Sequence, residues 1–338
     1  MPPSDKKIHT GVAYLGNRIV SHARRDLADI AEACDYVVHT VSETDFHYHK
    51  ASLEKIFSDS HRQGLEVWAD PWGLGGVFGG ETFSRFLLDH PDSWQVLSDG
   101  RRVPAACLHQ PAFRNFVREW ILTVREMGAD VLFWDEPHVY FHWDLEWAGT
   151  YSCACPLCQK LCRKQFGESL PATMNETARA FRLRSLRGFL EEMVSFARTK
   201  KLKNALCLYA FEGSDEYELI WNDLSSLKQL DVFGCDPYWR WPPRTSADPR
   251  EHVTRFSKKV LTATIPLRRH SQIWIQSMRF PKGRETEIRA AVDAAARSGI
   301  THLAAWSHDG GAVLDTTLSE DPGKVWRTVK SSFQSIRS

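Results

Sequence analysis

The chain has 338 residues, 43% of them hydrophobic and 25% charged, with 43 basic and 42 acidic side chains. That is the composition of a globular chain with a large core, and it excludes a disordered or low-complexity one. A net charge of +1 without a basic stripe or acidic tail implies neither a nucleic-acid partner nor a membrane surface.

The opening residues, MPPSDKKIHTG, lack the apolar core of a signal peptide, and no apolar run approaches 18 residues. A cytoplasmic, non-membrane protein is expected. Short β-rich runs then alternate with helical patterns. A strand at 9–16 (HTGVAYLG) precedes the helix DLADIAEACD, and a strand at 36–43 precedes HKASLEKIFSDSHRQG. The third strand, 65–72 (LEVWADPW), is followed by the long stretch 73–110 and the helix QPAFRNFVREWILTVREMG. The fourth, 130–137 (DVLFWDEP), is followed by the long stretch 138–172 and the helix ETARAFRLRSLRGFLEEMVSFARTK. Strands at 204–212, 230–239, 271–278 and 301–308 each lead into a further helix. Gly64, Gly128 and Gly299 stand where helices should stop.

Continuous apolar strands joined by helices mean a parallel sheet covered on its faces. Eight such units in this length predict the α/β class and a single (β/α)8 TIM barrel over residues 1–338. A doubly wound open sheet wants G-x-G-x-x-G after the first strand, and AYLGNRIVSHARRD has none. The glycine-rich GLGGVFGG at 73–80 follows the third strand and reads as a flexible active-site loop. Both long stretches fall on the C-terminal face of the barrel, where function is built.

Acids recur at the predicted strand ends: Glu43, Asp70, Asp135, Glu136, Glu212, Asp236 and Asp309. Any one of them could simply cap a turn. Asp70, Glu136 and Asp236 are each followed at once by proline, which cannot extend a ladder and fixes the turn. Neighbouring residues of a strand face opposite ways, so one of Asp135 and Glu136 should reach the mouth and the other orient it. Thirteen tryptophans, many near strand ends, add aromatic surface. Carboxylates with aromatic faces suit a sugar: the acids take hydroxyls and the rings pack on the pyranose.

The expected substrate contacts are Asp70, Trp72, His138 and Tyr140, then Tyr209, Glu212, Tyr238 and Trp239, and finally Gln276, Trp306, His308 and Asp309. Trp134, Trp143 and Trp241 are further candidate rings, whereas Trp68 and Trp274 lie early in their strands and should be packing residues. Two carboxyls across a cleft suffice for glycoside cleavage. Glu136 is the expected general acid, with its pKa raised among Trp134, Pro137 and His138. Asp236 leads as its partner, ahead of Asp70, Glu212 and Asp309, with Asp135 orienting the pair. A carboxyl separation of about 5 Å would predict retention and about 6.5–9.5 Å inversion.

The stretch YSCACPLCQKLCRKQFG places Cys153, Cys155, Cys158 and Cys162 at C-x-C-x2-C-x3-C spacing. Clustered thiolates are good zinc ligands, and a closed tetrathiolate site would staple the loop after strand four without entering the chemistry. Buried free thiols are the plain alternative, and an iron–sulfur cluster would want other spacings. Cys107 could replace Cys162 as the fourth ligand. Cys34, Cys207 and Cys235 fall in regular elements and read as core.

These local features resemble the clan-A (β/α)8 glycoside hydrolases, most nearly the family 42 β-galactosidases. The matching stretches are CLHQPAFRNF, the fourth-strand acid Glu136, and the Cys153/Cys155/Cys158 loop leading to Phe166 and Gly167. The resemblance implies Glu136 as acid/base and Cys107 as the fourth zinc ligand. The chain departs from it twice. Asp135 stands where the family has asparagine, and the seventh strand, SQIWIQSMRF, carries Gln276 and no glutamate nucleophile. The expected function is therefore a glycoside hydrolase acting on an oligosaccharide or glycoside by paired-carboxylate chemistry. A structural zinc ion, no organic cofactor and a homo-oligomeric assembly are compatible with it. Two alternatives stand beside it: a non-catalytic carbohydrate-binding barrel, and a metal-dependent barrel hydrolase using His39, His47, His138, His142 and His308.

Overall fold

The computed structural model describes residues 7–140, 149–211, 215–240 and 247–337. Its strands are β1 (His9–Tyr14), β2 (Tyr36–Thr40), β3 (Glu66–Asp70), β4 (Trp94–Val96), β5 (Arg102–Ala106), β6 (Val131–Asp135), β7 (Lys203–Tyr209), β8 (Val232–Asp236), β9 (His270–Gln276) and β10 (His302–Trp306). β4 and β5 form an antiparallel hairpin, which the sequence reading missed; the other eight close in the order β1-β10-β9-β8-β7-β6-β3-β2. Every barrel pair is parallel. The expected (β/α)8 barrel is formed. Each barrel strand stops two or three residues before its predicted end. After β3, β6 and β8 the reason is the proline turn that follows the acid.

The helices are α1 (Val20–Ala31), α2 (Glu43–Tyr48), α3 (Lys50–Arg62), α4 (Arg85–Asp89), α5 (Pro111–Met127), α6 (Pro156–Phe166), α7 (Glu176–Thr199), α8 (Asp215–Ser225), α9 (Pro249–Thr264), α10 (Thr286–Ser298) and α11 (Pro322–Arg337). α2, α4 and α6 are extra turns inside connections; the other eight each follow one barrel strand. α5 and α10 end on Gly128 and Gly299 in the left-handed conformation that glycine adopts without strain. None of the described helices is long and apolar enough to cross a membrane.

Alternation along the strands divides the core in two. One face of each strand points into the barrel, which is filled by rings. Tyr36 stacks on Trp68 at 4.4 Å, Phe133 meets Trp274 at 5.0 Å, Trp274 meets Trp306 edge-on at 5.5 Å, and Trp306 stacks on Trp72 at 5.2 Å. Trp68 and Trp274 are packing residues, as expected. The other face packs on the helices, and Trp134 belongs to it. Its indole Nε1 donates to Asn204 Oδ1 at 2.9 Å, so it does not flank Glu136 in the mouth as expected. Trp239 is corrected in the same way. It is fully buried on the helix side, donating to Glu287 at 2.9 Å and meeting Phe280 edge-on.

The glycine-rich loop after β3 is not free to swing. Glu43, at the start of α2, is buried and spans it: Oε1 accepts from the Gly75 N–H at 2.9 Å and the Ser84 hydroxyl at 2.7 Å, and Oε2 from the Phe86 N–H at 2.7 Å. Removing that carboxylate strands two buried amides. Glu43→Ala should lower unfolding stability in urea by about 2–4 kcal/mol, the cost of two orphaned buried donors. A loss within the scatter of surface substitutions would show that the loop holds itself.

Candidate active site

Inward positions of β3, β6 and β8 finish on Asp70, Asp135 and Asp236, all buried. Proline follows the first and third directly. The Trp72 N–H donates to the Asp70 carbonyl at 2.8 Å, and the Tyr238 N–H to the Asp236 carbonyl at 2.7 Å. Both are three-residue turns around a proline whose fixed φ suits them. After β6 one more residue intervenes. Glu136 has φ 41°, in the left-handed region; its N–H donates to the Cys207 carbonyl at 3.1 Å, and its carbonyl accepts from His138 Nδ1 at 2.8 Å.

That one backbone torsion corrects the expectation that Asp135 and Glu136 diverge. Alternation holds only while the chain stays extended, and a left-handed residue at the strand end turns the next side chain back. A Cβ placed on Gly79 would lie 2.6 Å from Asp135 Oδ2 and 3.1 Å from Glu136 Oε2, so both carboxyls converge on one glycine of the loop. Gly79 is held there by its own N–H, which donates to the Asp135 carbonyl at 3.0 Å. The glycine-rich stretch thus serves close approach to two acids as well as turning.

Glu136 and Asp236 hydrogen-bond to each other through their side chains, and the Tyr209 hydroxyl donates to Glu136. Burial first, then the Asp236 charge and that hydrogen bond, raises Glu136 well above the usual carboxyl range. Burial pushes Asp236 up to about 8, partly offset by the bond from Glu136. Asp135 is raised by burial and then by the charges of Glu136 and Glu81; Asp70 is raised by burial and then by Asp135 and Glu136. Burial and the repulsion between the charged forms favour a state in which the Glu136–Asp236 pair holds a proton. Neither oxygen of Asp70 has a hydrogen-bond partner among the described residues. Burial lowers the pKa of His138, and with Nδ1–H given to a carbonyl its Nε2 is left as the acceptor.

The remaining expected contacts divide. Trp72 and Trp306 stack beside the acids, and Tyr238 packs on the same interior cluster. Gln276 does not face substrate: its oxygen accepts from the Arg240 N–H at 2.9 Å and its amide donates to the Met278 carbonyl at 3.2 Å. His308 turns outward to Asp29 at 3.7 Å and lies edge-on to Trp326. Asp309 is exposed on the turn after β10, whereas Asp70, Asp135 and Asp236 are buried. Tyr140 lines a groove beside the mouth with His138 and Tyr209. Glu212, with Trp143, Trp241 and His142, lies outside the described residues. Sequence reasoning passed over Gly79 and Glu81, whose only signal is the run GLGGVFGGE. It also passed over Gln95, whose oxygen accepts from the Tyr140 N–H at 3.1 Å and the Ser152 hydroxyl at 2.7 Å.

The thiols of Cys107, Cys153, Cys155 and Cys158 are buried, with all four sulfurs within 4.8 Å of one another. Cys107 lies 3.5 Å from Cys158 and 3.7 Å from Cys155. A tetrahedral tetrathiolate with bonds of about 2.3 Å has sulfurs about 3.8 Å apart, so the set fits a metal ion of that kind. Cys162 is buried on α6 outside the four, which leaves Cys107 as the fourth member. Backbone bonds support the junction: Cys107 N–H to the Ser93 carbonyl and Ala154 N–H to the Val96 carbonyl, both 2.7 Å. The cluster therefore ties the segment after β3 to the one after β6, which begins at Glu136. Among the described residues no histidine–carboxylate group gathers in the same way. His39 instead bonds Ser60 in the core.

No protein-family model and no curated protein matches this chain. Solved structures do. The catalytic domain of β-amylase from Paenibacillus polymyxa superposes with a TM-score of 0.65 at 9% identity, covering 96% of this chain and 98% of that one. A GH5_18 structure from Streptomyces cattleya, solved with GlcNAc, gives 0.63 at 14% identity over 99% and 82%. D-allulose 3-epimerase from Methylomonas gives 0.52 at 11% identity over 97% and 98%. These matches establish the barrel, one that glycoside hydrolases use, and a fold alone does not fix the chemistry.

Two measurements check the site. Purified protein should carry one tightly held metal ion, retained by Cys162→Ser and lost by Cys107→Ser; the reverse pattern would put Cys162 in the site. The carboxyls predict a pH dependence. A carboxyl whose pKa is raised on folding gives stability that is whole below its unfolded value, near 4, and lost as pH climbs through its folded value. His39, His109, His138 and His302, whose pKa values are lowered, act below about pH 6.5. Between about pH 6.5 and 8 the native protein should thus lose up to about 1.4 kcal/mol per pH unit for each such carboxyl. Asp236→Asn should flatten that slope. A slope that is flat in the unaltered protein contradicts the assignment.

Proposed function

We propose that the protein is a glycoside hydrolase acting on an oligosaccharide or glycoside, with Glu136 as general acid and Asp236 as the second carboxyl. The observation that carries this reading is the gathering of buried carboxyls at the barrel mouth, where Asp135 and Glu136 converge on Gly79 and burial beside Asp236 raises Glu136. Two ionised carboxylates repel each other, and a buried pair that holds one proton has an acid ready near neutral pH. Trp72 and Trp306, stacked on each other in the barrel interior, put aromatic surface under the mouth. Asp70, whose oxygens have no hydrogen-bond partner among the described residues, is the acceptor for a sugar hydroxyl.

In the resting protein a hydrogen bond links the two carboxyls. A glycosidic oxygen arriving between them takes over the hydrogen bond from Glu136. Glu136 then gives its proton to that oxygen as the bond to the anomeric carbon breaks, and Asp236 is released as a carboxylate for the anomeric carbon or for the attacking water. Gln276 occupies the position where the family 42 resemblance would place a nucleophile, and its amide is committed to backbone. That nucleophile is therefore not part of the proposal. Zinc is the proposed occupant of the four-cysteine cluster. It would hold the loops that frame Glu136 and take no part in bond cleavage.

A panel of glycosides, scored for reducing sugar, tests this. Glu136→Gln should lower kcat by about 10²–10⁴-fold, the span of a lost general acid, while the sugar still binds. Full turnover in Glu136→Gln would remove the proposal. Sugar binding without cleavage by the unaltered protein would favour a carbohydrate-binding barrel.

A further inference from the structure

Beside the carboxyl pair lies a groove of about 810 Å³, between α7, α8 and the segments that follow β6 and β7. Its wall is shared with the acid. Tyr209 donates its hydroxyl to Glu136, and its ring lines the groove. That ring lies nearly parallel to Phe211, 5.2 Å away at 15°. Leu183 and Met174 on one side and Leu219 and Ile220 on the other continue an apolar lining, with Leu219 53% exposed. An exposed leucine at the lip of a deep apolar groove is unusual for a surface with nothing to bind.

Polar side chains interrupt that lining, among them Glu176, Arg179, Arg182 and Glu216. Arg182 pairs with Glu216 through Nη1 at 2.8 Å. Its Nε, also buried, has no hydrogen-bond partner among the described residues. A buried guanidinium N–H is costly to leave unpaired, so a ligand acceptor placed there would be strongly favoured.

We infer that this groove takes the leaving-group side of the substrate, and that the substrate is a glycoside with an aromatic aglycone carrying a hydrogen-bond acceptor at its far end. The inference rests on the hydrolase reading and deepens it. The geometry gives the order of contacts. The glycosidic oxygen meets Glu136, the aglycone ring lies along Tyr209 and Phe211, and its acceptor reaches Arg182. A second sugar would be served less well, because most of the lining its hydroxyls would meet is apolar.

Benzyl and methyl glycosides of one sugar test this, since both release simple alcohols of similar acidity and differ in the ring. The benzyl compound should be favoured in kcat/KM by about tenfold or more, as expected for a ring buried in an apolar pocket. Leu219→Lys at the lip and Leu183→Trp within the groove should each pull the benzyl-to-methyl ratio towards one. A ratio near one in the unaltered protein, or one that both variants leave intact, overturns the inference. Titration with free 4-methylumbelliferone, which carries a ring and a carbonyl acceptor, gives a readout without turnover. Binding that both variants and Arg182→Leu weaken, in a protein that cleaves no glycoside, keeps the groove and removes the hydrolase reading. No binding by the unaltered protein removes the groove.

Discussion

Everything at the mouth of this barrel depends on a hydrogen bond between two carboxyls that would repel each other if both were ionised. Glu136 and Asp236 come from strands separated by β7, and only a shared proton lets them touch. Burial makes that proton hard to lose, and the charges of Glu81 on Glu136 and of Asp135 on Asp236 make it harder. Isolated carboxylates at this depth would cost far more than a fold of this size can spare. A protonated, mutually bonded set is the state that a compact barrel can tolerate, and it is the state that acid catalysis needs.

The scaffold holds this cluster by several independent devices. The left-handed turn at Glu136 brings its side chain back beside Asp135. Gly79, lacking a Cβ, lets the loop backbone press on both carboxyls. Glu43 fixes that loop from below with three hydrogen bonds. The four-cysteine cluster and Gln95 tie the segment beyond Glu136 to the hairpin. Backbone strain at Glu136 and the unmet oxygens of Asp70 lie where these devices meet.

Much of the fold was legible because parallel strands buried on both faces write continuous apolar runs, and the proline after each acid marks where the ladder ends. The hairpin of β4 and β5 was not legible, because WQV and RVPAA are too short and, with a proline inside, too weak to read as strands. At the site, Glu136, Asp236, Asp70, Tyr209 and the tryptophans Trp72 and Trp306 could be placed from their position at strand ends. Trp134 was misplaced because the sequence does not say which parity of a strand faces the barrel axis when both faces are apolar, and Trp239 because it lies beyond β8, where the proline turn ends the alternation. Gln276 and His308 were misplaced because a polar residue at a strand end serves backbone and outer helices as readily as a ligand. The convergence of Asp135 and Glu136 was out of reach, since it hangs on one positive φ at a residue type that seldom adopts it.

The shared proton can be seen directly. With the carboxyl carbons of Asp and Glu labelled with carbon-13, magnetic resonance at pH 7 should show a protonated side-chain carboxyl. That signal should disappear in Glu136→Gln, and it should titrate together with Asp236 above the ordinary carboxyl range. If both carboxyls are instead ionised at pH 7, each titrating separately near 4, Glu136 holds no proton to give and the proposed acid chemistry fails.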